Sequence, residues 1–141
     1  MVAADGKHRL RDAWKKRGVK EQRDVAILTA ETSKATFGLT PAEYRDFKSL
    51  TSPKDNLRDH MTDLELIFTM LGEASTTEIT RKKDAQGFPQ THHAAKTGGT
   101  IAGNARRELE AQSGTRIATR ENFKTLPESQ TRPLRNRKPI S

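Results

Sequence analysis

The residues of this sequence whose types could do chemistry are a histidine pair, a set of glutamates, a glycine-rich segment and several clusters of cations. His92 and His93 are adjacent. On a helix of 3.6 residues per turn neighbours point about 100° apart, so the pair does not converge on one ion. His8 and His60 are distant in sequence, and no metal site is expected. There is no cysteine, which excludes a disulfide framework, thiolate zinc sites and a cysteine nucleophile. No Gly-x-Ser-x-Gly elbow is present. The segment Gly98-Gly99-Thr100-Ile101-Ala102-Gly103-Asn104 lacks the Lys-Ser/Thr ending of a phosphate loop and follows no strand pattern. Glycines at 99 and 103 share one helical face, so close helix packing is the expected role of Gly99 and Gly103. A homodimer is one arrangement such a face allows. Glu65, Glu73 and Glu78 fall on one helix without a Glu-x-x-His motif, and salt bridges are their expected use. No catalytic residue and no cofactor is assigned, and the chain is expected not to be an enzyme.

The cations remain. Arg9, Arg11, Lys15, Lys16 and Arg17 flank Trp14, which is either a stacking residue or a core anchor. Arg81, Lys82 and Lys83 end the central helix, where positive charge also suits the helix dipole. Arg106 and Arg107 lie on the last helix, and Arg132, Arg135, Arg137 and Lys138 lie near the end of the chain. Net charge is +8, unevenly placed: residues 1–20 and 113–141 each carry +5, and the stretch between carries −2. Cationic ends around a near-neutral middle suit a polyanion, most often nucleic acid, bound through its phosphates.

Elements must hold these residues. Val, Leu, Ile and Phe number 25 of 141, below the roughly 20% at which composition begins to favour disorder. A small helical core with loose ends is expected. Thr62 with Glu65 forms a capping box, flanked by the staple pair Met61 and Leu66. Leu64, Ile67, Phe68 and Leu71 make one apolar face of the helix that follows, and Leu66 and Met70 a second. A helix apolar on two faces is surrounded by others. The expected fold is therefore all-α, with four to five helices around a central buried helix at about 62–83. The other helices are predicted over 8–17, 21–36, 40–50 and 90–112, with 84–89 as a loop. Thr40, Pro41 and Glu43 repeat the cap pattern. The predicted division is a helical domain over 8–114 and a basic, largely irregular and flexible tail over 115–141. No apolar run reaches the roughly 18–20 residues of a membrane span, and no signal-peptide core follows Met1. A cytoplasmic location without membrane contact is expected.

A series of motifs also resembles a known family. Arg11-Asp12-Ala13-Trp14, Ser33-Lys34-Ala35-Thr36-Phe37-Gly38-Leu39-Thr40, Asn56 through Glu65, Leu71-Gly72-Glu73-Ala74, and Ala102-Gly103-Asn104-Ala105-Arg106 are arranged in order along the chain. Over roughly 9–123 the sequence resembles the C-terminal region of DNA-damage-inducible protein D and related Bro-type phage antirepressor proteins. Members of that family place a Bro-type domain ahead of this region. The sequence starts at Met1 without one, so it reads as a standalone product or one half of a longer protein. The resemblance implies a role in DNA-damage responses or in phage and mobile-element biology, and it brings no catalytic residues. The expected function is a non-enzymatic accessory or regulatory protein that binds DNA electrostatically. The alternative is a protein-binding module, such as a phage-encoded inhibitor docking on a bacterial protein of the DNA-repair or phage-response machinery.

Overall fold

Helix starts in this chain are set by side chains that satisfy the free N–H groups of the first turn. Thr40 Oγ1 accepts from the Glu43 N–H at 3.2 Å, and the Glu43 carboxylate accepts from the Thr40 N–H at 2.9 Å. Thr62 and Glu65 repeat the exchange at 3.3 and 2.9 Å. The protein is seen in a computed structural model that describes residues 2–121, with side chains from Lys7 onward. Among the described residues it is all-α. The helices are α1 (Val2–Lys16), α2 (Gln22–Phe37), α3 (Pro41–Phe47), α4 (Asp63–Lys82) and α5 (Gly87–Ser113), with a 3-10 turn at Leu57–His60.

Two helices start earlier than expected. α1 begins at Val2 and not near residue 8. α5 takes in Gly87, Phe88 and Pro89, which the sequence places in a loop. Pro89 is compatible because the first turn of a helix has no use for its missing N–H. α3 stops at Phe47, short of Leu50, after which Ser49 adopts φ +62°. Gly38 and Gly114 close α2 and α5 in the left-handed region, each N–H returning to the carbonyl four residues back.

α5 packs between α2 and α4, and α1 lies along α4. Apolar residues gather at the two ends of this bundle. At one end Leu10, Trp14, Val19, Leu28 and Ala95 form a cluster. At the other, Phe37, Tyr44, Met61, Phe68 and Ile117 do so, with Phe37 and Tyr44 edge to face at 5.1 Å. Between them runs a seam of small residues. Thr32, Thr36, Thr76, Thr80 and Thr91 are buried there beside Ala94, Gly98, Gly99, Ala102 and Gly103. The threonines keep their hydroxyls bonded to their own helices: Thr32 donates to Leu28 O, Thr36 to Thr32 O, Thr80 to Thr76 O and Thr91 to Gly87 O. Their methyl groups are left to pack.

The glycines of this seam are where helices touch. A Cβ on Gly99 would lie 2.7 Å from both Ala35 Cβ and Thr32 O, and one on Gly103 would collide with Ala35 O. Both contacts join α5 to α2 within one chain. Gly98 meets Thr76 of α4 in the same way.

α4 is central, but its buried side is not its apolar one. The line that turns inward is Glu65, Phe68, Gly72, Thr76 and Thr80, whereas Leu64 and Ile67 are 38% and 50% exposed. On a helical wheel Leu64, Ile67 and Leu71 fall to one flank of that line and Leu66 to the other. The apolar arc of α4 therefore overlaps its packed arc at Phe68 and Leu71 and runs on into solvent.

The capping glutamate of α4 has a second use. Glu65 is fully buried, Lys48 Nζ is 2.8 Å from its Oε1, and the Tyr44 hydroxyl donates to its Oε2. Burial, with the Glu65 carboxylate beside it, pushes the Tyr44 hydroxyl far above its ordinary value. Lys48 also donates to Thr119 O at 2.8 Å and to Glu121 O, and Ile117 is buried under α5 and α3 residues. Residues 115–121, predicted as the start of a loose tail, form no helix but fold back onto this ion pair.

Candidate nucleic-acid interface

Two helix C-termini carry basic residues, and cations there offset the partial negative charge of unpaired carbonyls. In α1 these are Lys15 and Lys16, and at the end of α4 they are Arg81 and Lys82, followed by Lys83. The two ends are far apart in sequence and meet in the fold. Arg17 Nη1 donates to Asp84 Oδ1 at 2.8 Å and to Ala85 O at 3.3 Å, and the Gly87 N–H donates to Arg17 O at 2.8 Å. Gly18, at φ +94°, lets the chain turn so that its Cα side faces Gly87. Beneath the turn Val19 and Trp14 are buried together.

The resulting corner displays Lys15, Lys16, Lys82 and Lys83, all exposed. Arg17 is spent on the clamp itself. The hydrogen bond from Arg17, and then that from Gln86, holds the Asp84 carboxyl below the usual carboxylate range, so Asp84 stays ionised within the corner. Arg81 pairs with Glu78 at 2.9 Å in an exposed ion pair of little strength. Lys20 is exposed on the loop that follows α1. In the sequence Lys20 counts only toward the net charge of residues 1–20 and not among the candidate cations.

The other candidate cations are elsewhere. Arg9 is exposed on α1. Arg11 is exposed too and borders a cavity that Trp14 also lines. Arg106 is committed to the fold, donating to Thr36 O at 2.6 Å and pairing with Glu110 at 2.7 Å. Arg107 donates to Asn104. These two residues sit some twenty positions along α5 from Gly87, roughly 30 Å at 1.5 Å per residue, and do not join the corner. Arg132, Arg135, Arg137 and Lys138 lie outside the described residues. Trp14 is fully buried and offers no face to a base; it is a core anchor.

The glutamates of α4 each face a separate cation: Glu65 with Lys48, Glu73 with Arg58 and Glu78 with Arg81. His92 stacks on Phe88 at 5.4 Å between ring centres, with Glu31 at 3.7 Å, while His93 is exposed on another side of α5. Among the described residues no group of three or more metal-binding side chains converges, and no helix is long and apolar enough to cross a membrane. No family model matches the chain, and no curated protein or solved structure matches it.

Proposed function

We propose that the chain is an accessory or regulatory protein of DNA transactions that binds nucleic acid through its phosphates at the α1–α4 corner. The observation that carries this reading is the clamp of Arg17 on Asp84 and Ala85, which joins the end of α1, carrying Lys15 and Lys16, to the end of α4, carrying Lys82 and Lys83. Mobile surface lysines neutralise phosphates without reading base edges, so binding should be strong at low salt and indifferent to sequence. The family resemblance of the sequence supplies the setting, a DNA-damage response or phage and mobile-element biology. No reaction is assigned to the chain.

The expected result is a duplex affinity that falls linearly on a log–log plot against salt, with a slope near −0.9 per phosphate neutralised. Replacing Lys15, Lys16, Lys82 and Lys83 by Gln should leave the melting temperature unchanged. The same change should make that slope shallower by about one unit for each phosphate no longer neutralised. Fluorescence anisotropy over a salt series measures the slope. No binding by the parent protein at low salt sinks the reading.

A second reading has an observation of its own. Leu64 and Ile67 are exposed one helical turn apart on α4. Such a pair on a polar surface suits a protein partner, the alternative expected from the sequence. Co-purification insensitive to salt and abolished by Ile67→Asp would favour it over the corner.

A further inference from the structure

A cavity of about 430 Å³ opens between α1, α2 and the segment 53–61, within the size range of small-ligand pockets. Its composition is lopsided. Lys7, Arg11 and Arg58 all border it, and the acid among them, Glu73, is engaged by Arg58 through both oxygens, one at 3.2 Å. Lys7 and Arg11 are four residues apart on α1 and share a face. Burial, and then the charges of Arg11 and Arg58, push the Lys7 ammonium below its ordinary value. Folding has therefore gathered cations that repel one another in a partly closed space. Asp55 also borders the cavity, but so do Arg45 and Lys54, and positive charge remains in excess. Leu10, Trp14, Phe37 and Met61 line it beside the buried Thr32 and Thr36, and the buried indole N–H of Trp14 has no acceptor among the described residues.

We infer that this cavity binds a phosphomonoester, its phosphate between Lys7 and Arg11, with Arg58 held behind them by Glu73, and its organic body against the apolar side chains of the wall. The charge favours a monoester over a backbone diester. A terminal phosphate carries about −1.5 to −2 at neutral pH, matching the two cations that Glu73 leaves uncompensated, whereas a diester carries a single charge. Arg11 also suits the phosphate geometrically, since its planar fork can bond two oxygens at once. The volume exceeds what one phosphate fills, which is why an ester with a body is assigned. The same chemistry has two sources: a free small ester, or the 5′-phosphate at the end of a nucleic-acid strand. This site does not use the α1–α4 corner.

Trp14 is the single tryptophan of the chain, so its emission reports on the cavity. Titrating the full chain with phenyl phosphate should give a saturable change in that emission. Lys7→Gln and Arg11→Gln should each weaken it at least tenfold while melting like the parent. The variant with Lys82 and Lys83 replaced by Gln should titrate normally, separating this site from the corner. A 5′-phosphorylated oligonucleotide that displaces phenyl phosphate identifies strand ends as the source; binding of phenyl phosphate without such displacement identifies a free ester. An equal response to phenol, an equal response to the same strand with a 5′-hydroxyl, or unchanged affinity in both Lys7→Gln and Arg11→Gln overturns the assignment. So does an absence of any change with phenyl phosphate.

Discussion

Glu65→Ala should be the most destabilising single substitution among the charged residues of this chain. Glu65 closes the capping box of α4, pairs with Lys48 and accepts from Tyr44, all without exposure to water. Removing one partner of a buried ion pair costs about 3–5 kcal/mol, because the other charge stays buried without compensation. Loss of the cap adds about 1 kcal/mol. Against a total stability on the order of 5–15 kcal/mol, the variant should be largely unfolded well below the parent's melting temperature. Thr62→Ala, which removes the cap alone, should cost about 1 kcal/mol. In a double-mutant cycle, Lys48→Met combined with Glu65→Gln should be less destabilised than the sum of the single changes, because neither leaves a lone charge in the double variant. Urea unfolding of the four proteins measures this, and strict additivity would show that the pair contributes nothing specific.

The second large effect is expected at Gly103. A side chain there meets the carbonyl oxygen of Ala35, a helical backbone atom that cannot swing aside. Gly103→Leu should therefore push α5 off α2 and cost more than the roughly 3 kcal/mol usual for overpacking. Even Gly103→Ala should destabilise, although alanine gains about 1 kcal/mol of helix propensity over glycine. Asn104→Leu, one position on and exposed, should stay within about 0.5 kcal/mol of the parent. Thermal melting decides the matter. A parent-like melt for Gly103→Leu would mean that α2 and α5 do not cross here.

Local grammar was legible in the sequence, and pairing across the fold was not. Thr40-x-x-Glu43 and Thr62-x-x-Glu65 marked two helix starts because a cap is a contact over three residues. The same local logic hid the larger role of Glu65. Its partner Lys48 sits just past α3, where a lysine reads as an ordinary cation near a helix end, and nothing in the spacing reveals that both are buried. The apolar count of α4 suggested a helix enclosed on two sides. α4 is indeed enclosed by α5, α1 and α2, but much of its packed face is made of residues as small as Gly72, Thr76 and Thr80, since helices that approach closely need little side chain between them. Lys15 and Lys16, and Arg81 to Lys83, were visible as basic clusters. That they form one corner depends on a contact between Arg17 and Asp84, 67 residues apart. The cavity was the least legible: Lys7 and Arg58 drew no notice in a chain of net charge +8, Arg11 was read only with the cluster around Trp14, and only the fold sets the three around one space.

The threonine seam has a thermodynamic consequence. Unfolding it exposes methyl groups and hydroxyls together, and apolar exposure raises the heat capacity while polar exposure lowers it. A bundle whose middle is filled by Thr32, Thr36, Thr76, Thr80 and Thr91 in place of leucines thus draws less of its stability from dry hydrocarbon. Its heat-capacity increment per residue belongs at the lower end of the usual range, about 12 cal/mol/K. A small increment flattens the curve of stability against temperature, so the folded state loses little on cooling and is worn down gradually on heating.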